Sequence, residues 1–164
     1  ILNLLNMNNL NQIGLNTQKT AEMVEKLNDL LSNLQIFYMN VRGFHWNIRG
    51  EKFFELHQKF EDLYDDLLVK VDEVAERVRI LGHTPIHIFS EYIKMAQIKE
   101  IENLSDARSC VQSIVDSLKI ILEKEHAIMK LSAEMIDDGT NAIVSQYISE
   151  HDKLVWMYEA FLNA

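Results

Sequence analysis

From Thr20 onward, apolar residues return at Leu27, Leu30, Leu34, Tyr38 and Val41, in steps of three and four that put them on one face of a helix. The spacing predicts a first long helix ending near Gly50. Between Gly50 and Gly82 a second stripe, Phe53, Leu56, Phe60, Leu63, Leu67, Val71, Val74, Val78 and Leu81, runs without a breaker and predicts a second helix. The segment GHTPIHIFSEYIKMAQIKEIENLS holds the only proline and reads as a long connection, in which Ser90 is placed to cap a short helix over residues 91–96. Ser105 is placed to cap a third long helix with Val111, Ile114, Val115, Leu118, Leu122 and Met129 on its apolar face, and DDGT ends it at Gly139. Thr140 then opens a fourth, whose stripe is Val144, Tyr147, Leu154, Tyr158 and Phe161.

Long helices joined by a short, a long and a short connection have the order of a ferritin-like four-helix bundle. The expected fold class is all-α, with a short extra helix in the crossover between the second and third. Five glycines and one proline in 164 residues are too few for many short strands, and this length suits one domain. Residues 1–18, apolar and Asn-rich, are expected to be a flexible N-terminal extension to a domain over residues 19–164. Without a basic start they make a poor signal peptide, and they are too polar and short for a membrane span. Met7 is a candidate natural start, which leaves residues 1–6 as upstream sequence. A lone cysteine, Cys110, cannot close an internal disulfide and reads as a small buried apolar side chain, consistent with a reducing cytoplasm. The net charge of −9 argues against a surface built to grip phosphate and suits a protein that handles cations.

A second, polar row runs along the second helix: His57, Glu61, Asp65, Leu68, Asp72, Glu76. Taken alone it reads as a solvated charged face. A mixed histidine and carboxylate set also suits iron better than a structural zinc. At about 1.5 Å per residue, His57 and Asp72 lie roughly 22 Å apart, too far for both ends of the row to hold one ion within one chain. Two chains packing these helices antiparallel about a twofold axis would bring His57 and Glu61 of one near Asp72 and Glu76 of the other, creating two equal sites. His45 lies near the end of the first helix, on the continuation of the Leu34, Tyr38 and Val41 face and directly before Trp46.

FHWNIRGEKFFELHQKFEDLY, followed by VDEVAERVRILGHTP, resembles the Dps family of mini-ferritins, and the likeness extends over about residues 20–162. His45, His57, Glu61, Asp72 and Glu76 match that family's ferroxidase ligand pattern at every position. The one variation is Glu61, where members also carry Asp; the longer side chain reaches one methylene further. The resemblance implies a hollow homododecamer that oxidises Fe(II) at sites across its twofold dimer interfaces, with hydrogen peroxide preferred over oxygen, and that stores ferric mineral against oxidative damage. It further implies that His45, His57 and Glu61 of one chain face Asp72 and Glu76 of another, with iron as the metal and Zn(II) a further candidate occupant at rest. Trp46, beside the site, is a candidate acceptor of stray oxidising equivalents as well as a packing aromatic. In the family, acidic residues near the start of the last helix line threefold pores; EMIDDGT offers Glu134, Asp137 and Asp138, of which Asp137 and Asp138 are the candidates.

Two rival readings are weaker. The di-iron centre of larger ferritins uses two Glu-x-x-His units within one bundle, and only one is present, Glu123 to His126. His126 falls near the apolar face, so a core histidine or a chance motif is the expected reading over half a metal site. The alternative of a DNA-coating protein meets the lack of any Lys or Arg in residues 1–18 and in the final LVWMYEAFLNA, so DNA binding is expected to be weak or absent. His83 and His87 fall in the crossover, and His151 on the last apolar stripe reads as a packed, hydrogen-bonded residue.

Overall fold

A computed structural model describes residues 9–163. The expectations for residues 1–8, including a start at Met7, lie outside the described residues. Among the described residues five helices follow in order: α1 (Thr17–Asn47), α2 (Phe53–Ile80), α3 (Phe89–Met95), α4 (Ala107–Met135) and α5 (Asp138–Leu162). The four long ones form the bundle, with α1 packed on α2 and α4, α4 on α5, and the short α3 on the outside of α1. The all-α expectation and the short crossover helix hold. No helix among the described residues is long and apolar enough to cross a membrane.

The core is built largely from the predicted stripes, with Phe37 and Ile121 added to them, while the predicted Tyr38, Phe53, Leu122, Met129, Leu154 and Phe161 are only half-buried. Leu27, Leu30, Leu34, Phe37 and Val41 of α1 meet Phe60, Leu67, Val74 and Val78 of α2, Ile114, Leu118 and Ile121 of α4, and Val144 of α5, all buried. Fully burying side chains of this size contributes about 1.5–3 kcal/mol each, which makes the bundle the main source of stability.

Helix boundaries depart from the sequence expectation at the caps. The α1 helix begins before Thr20, at Thr17, because the Asn16 side chain accepts from the amides of Gln18 and Lys19. Upstream, Leu10 bridges Asn16 and the Asn11 amide donates to the Leu81 carbonyl, so residues 9–16 pack as a turn against the end of α2. Ser90 lies inside α3, which starts after Ile88 with no side-chain cap. Asp106, not Ser105, caps α4 by accepting from the Ser109 amide. The α4 helix ends at Met135, where Ile136 takes the left-handed conformation at φ 56°, and Gly139 falls in the first turn of α5. A Cβ at Gly139 would stand 2.8 Å from the Arg77 guanidinium, which would have to shift from its bonds to Asp137 and Thr140.

The crossover is held by three asparagines of α1 for which the apolar periodicity predicts no role. Asn28 accepts from the Ile86 amide at 2.9 Å, and Asn33 accepts from the amides of Gln97 and Ile98, both at 2.9 Å. Asn40 accepts from the Ile101 amide at 3.0 Å and donates to the Lys99 carbonyl at 2.8 Å. These side chains give an irregular segment the backbone partners that a helix or sheet would otherwise supply. Replacing Asn33 by Leu orphans these amides at a cost of about 1–3 kcal/mol per buried group. Thermal unfolding is expected to show Asn33→Leu melting well below the parent protein, whereas an unchanged midpoint would show that the crossover does not depend on this contact.

Candidate metal centre

Only residues 48–52 separate α1 from α2, and Gly50 at φ 100° permits the tight reversal. That turn brings the last turn of α1 against the first turns of α2. His45 Nδ1 lies 2.7 Å from the His57 carbonyl, and His57 Nδ1 lies 2.9 Å from the His45 carbonyl. A ring nitrogen facing a carbonyl oxygen must carry the proton, so each neutral imidazole leaves its Nε2 lone pair free. This is the backbone support that metal-bound histidines typically use to fix tautomer and orientation.

The two rings stack with centroids 3.8 Å apart and planes 19° apart. Phe53 stacks on the other side of His57 at 5.0 Å, and Tyr64 meets His45 edge-on at 5.3 Å. His45 is buried and His57 half-buried, so the pair sits at the margin of the core. Glu61 is half-buried one turn beyond His57, while Asp65, Asp72 and Glu76 are exposed along α2. Burial, and then the charges of Glu61 and Asp65, raise the Tyr64 phenol above its ordinary pKa. Because α2 is continuous from Phe53 to Ile80, the separation of roughly 22 Å between His57 and Asp72 stands. Among the described residues, no three His, Cys, Asp or Glu side chains of this one chain converge closely enough to hold a metal ion. The structure therefore brings His45 and His57 together, sets Glu61 one turn away, and leaves Asp72 and Glu76 apart from them.

Trp46 is 56% exposed beside the pair, with the Arg42 guanidinium 4.9 Å from its ring centre. Of the two pore candidates, Asp138 is exposed, as is Glu134, but Asp137 is 2% exposed and turned inward. Its carboxylate accepts from Arg77 Nη2 at 2.5 Å and from the Thr140 amide and hydroxyl, and Arg77 Nε donates to Thr140 Oγ1 at 2.8 Å. Asp137 thus caps α5 and neutralises a buried guanidinium. That corrects its expected place among pore-lining carboxylates.

His126 is exposed rather than in the core, so the Glu123 to His126 unit points away from the bundle interior. The histidine inside the bundle is His151, fully buried, with Nδ1 2.9 Å from Glu125 Oε1 and 3.1 Å from Oε2. Glu125 falls in step with Leu118, Ile121 and Ile128, and that spacing was the available signal for a carboxylate in the core. Lys70, also buried, is held by Asp66 and Glu150 at 2.7 and 2.6 Å. Burial works against its charge, and those two bonds outweigh it, leaving its pKa above the ordinary lysine value. Cys110 is buried, and loss of hydration pushes its thiol up to about 11, so it presents no thiolate near neutral pH.

Comparison with known proteins settles the lineage. The ferritin-like domain family matches residues 24–164. The DNA protection during starvation protein of Porphyromonas gingivalis is 46% identical over 148 residues, covering 90% of this chain and 93% of its own. The chain belongs to the Dps family. Among solved structures, the DPS protein of Vibrio cholerae O1 superposes with a TM-score of 0.92 at 50% identity, covering 94% of this chain and 97% of its own. It is described as a member of a broad superfamily of ferritin-like diiron-carboxylate proteins. The Dps of Listeria innocua superposes at 0.82 with 30% identity, covering 86% and 94%. Within this Dps fold, the inward Asp137 has a measurable consequence. Asp137→Ala leaves a buried guanidinium unpaired and α5 uncapped, a loss of about 3–5 kcal/mol, whereas Asp138→Ala at the surface changes stability by less than about 0.5 kcal/mol. Chemical denaturation of both variants should separate them by that margin; equal stabilities would contradict the role given to Asp137.

Proposed function

We propose that this chain is an iron-oxidising and iron-storing mini-ferritin whose ferroxidase sites are each shared by two copies. The observation that carries this reading is the reciprocal bonding of His45 and His57, which leaves both Nε2 atoms outside these bonds while, among the described residues, no third ligand is in place to close a site. Asp72 and Glu76 of a second copy would supply the missing carboxylates, with Glu61 reaching the ion directly or through water. The kinship with a structure described as ferritin-like and diiron-carboxylate supports iron as the metal handled. Nitrogen and carboxylate donors together stabilise both iron valences.

Iron is the substrate here. Hydrogen peroxide, the preferred oxidant, takes one electron from each of two Fe(II) ions; its O–O bond breaks and two protons complete two waters. Pairing the electrons in this way avoids release of hydroxyl radical, and the ferric product is stored inside a homododecameric shell in the cytoplasm. Zn(II) is a resting occupant compatible with the same donors. Trp46 takes up the equivalents that escape. Asp138, exposed at the start of α5, is the carboxylate retained for an iron-conducting pore. The net charge of −9 favours this reading over one centred on DNA, even though relatives carry names referring to DNA protection.

The test is anaerobic Fe(II) oxidation with added peroxide. His45→Ala, His57→Ala and Asp72→Ala are each expected to slow oxidation at least about tenfold, a loss comparable to that seen when the support of a metal site is removed. Parent-like rates in all three would remove the proposed site.

A further inference from the structure

Three oxidisable rings stand around one cation beside His45. The Arg42 guanidinium carbon lies 4.9 Å from the Trp46 ring centre, 5.7 Å from that of Tyr38 and 5.9 Å from that of Tyr64. Its Nη1 also donates to the Tyr38 hydroxyl at 3.0 Å, which fixes the guanidinium within the group. Tyr64 in turn meets the His45 ring edge-on. Arg42 lies one helical turn before His45 on α1, so this arrangement is part of the surroundings of the paired histidines.

A positive charge over an aromatic face stabilises the neutral ring and destabilises one that is losing an electron. We propose that Arg42 is an electrostatic positioning residue that keeps Tyr38, Trp46 and Tyr64 reduced, so that oxidising equivalents at the site fall on Fe(II) before they fall on protein. This rests on the ferroxidase reading given above. The reaction it restrains is simple. When peroxide meets a lone Fe(II), one electron breaks the O–O bond and yields Fe(III), hydroxide and hydroxyl radical. The radical takes one electron from the Trp46 indole and becomes hydroxide, and the indole radical cation releases its N–H proton to water. Arg42 raises the cost of the electron leaving the indole. Trp46 thereby becomes a reserve and not the first target.

Trp156 is an internal control: it is 67% exposed on α5, and among the described residues no cation lies over it. Parent, Arg42→Leu, Arg42→Gln and Arg42→Lys proteins are each oxidised in two ways, and the ratio of oxidised Trp46 to oxidised Trp156 is measured by peptide mass spectrometry. In the first arm Fe(II) below the number of sites meets peroxide without oxygen. In the second, metal-free protein is irradiated with ruthenium tris-bipyridine and persulfate, a one-electron oxidant that needs no iron site. The Leu and Gln variants are expected to raise the ratio about two- to thirty-fold in both arms, while Lys stays within about twofold of the parent. A mere packing or shielding role predicts the reverse order, with Leu restoring the parent ratio and Lys failing. If no protein oxidises Fe(II), the ferroxidase reading falls and the photochemical arm still decides the role of Arg42. An unchanged ratio in Leu and Gln under irradiation overturns the proposal.

Discussion

The reciprocal hydrogen bonds between His45 and His57 and each other's carbonyls constrain everything around the site. They form only if the end of α1 and the start of α2 meet at one distance and rotation, which the turn through Gly50 and the Phe44, Leu56 and Phe60 packing beneath it provide. Because both Nδ1 atoms are committed to backbone, both Nε2 atoms stay available. The rest of the polar row on α2 follows the helix axis away from them. A long straight helix cannot fold its own Asp72 and Glu76 back to His57, and so the geometry of α2 itself requires a second chain if these residues are to share an ion.

Around this site the bundle carries more buried charge than an α-helical core needs for stability. Arg77 with Asp137, Lys70 with Asp66 and Glu150, and His151 with Glu125 each remove charged or polar groups from water. Such pairs seldom stabilise more than apolar side chains of the same size would, but breaking one is costly, because it leaves a partner buried alone. They act as registers between helices. Arg77 ties α2 to the first turn of α5, Lys70 ties α2 to the middle of α5, and Glu125 with His151 ties α4 to α5. The face of α2 that bears Asp72 and Glu76 is thereby fixed relative to the whole bundle.

The periodic apolar stripes made the four long helices legible in the sequence, since burial of one face every 3.6 residues is a local property of each segment. The short crossover helix was legible too, from the composition of the segment after Gly82. What the sequence hid were features set by tertiary neighbours. Gly139 read as a helix stop, but α4 ends at Ile136 and the glycine makes room for Arg77. Asp137 read as a surface acid because nothing local reveals the guanidinium that draws it inward. Asn28, Asn33 and Asn40 gave no signal in the apolar periodicity, although each holds a stretch of chain more than fifty residues away. At the candidate site, the residues were proposed through family resemblance, and the structure brings together only His45 and His57 of them, with Glu61 one turn away. The carbonyl partners were not legible, because they depend on how two helix ends approach.

The central claim is that one functional site draws side chains from two chains, and subunit mixing tests it most directly. His57→Ala and Asp72→Ala chains, each expected to be slowed at least about tenfold alone, are unfolded together, reassembled at equal ratio and assayed for anaerobic Fe(II) oxidation with peroxide. A dimer pairing one of each has one site lacking both residues and one site fully intact. Random pairing therefore restores about a quarter of the parent activity if sites are shared across a twofold axis. If each chain completes its own site, every site in the mixture stays damaged, and a mixture no more active than its components would contradict the account.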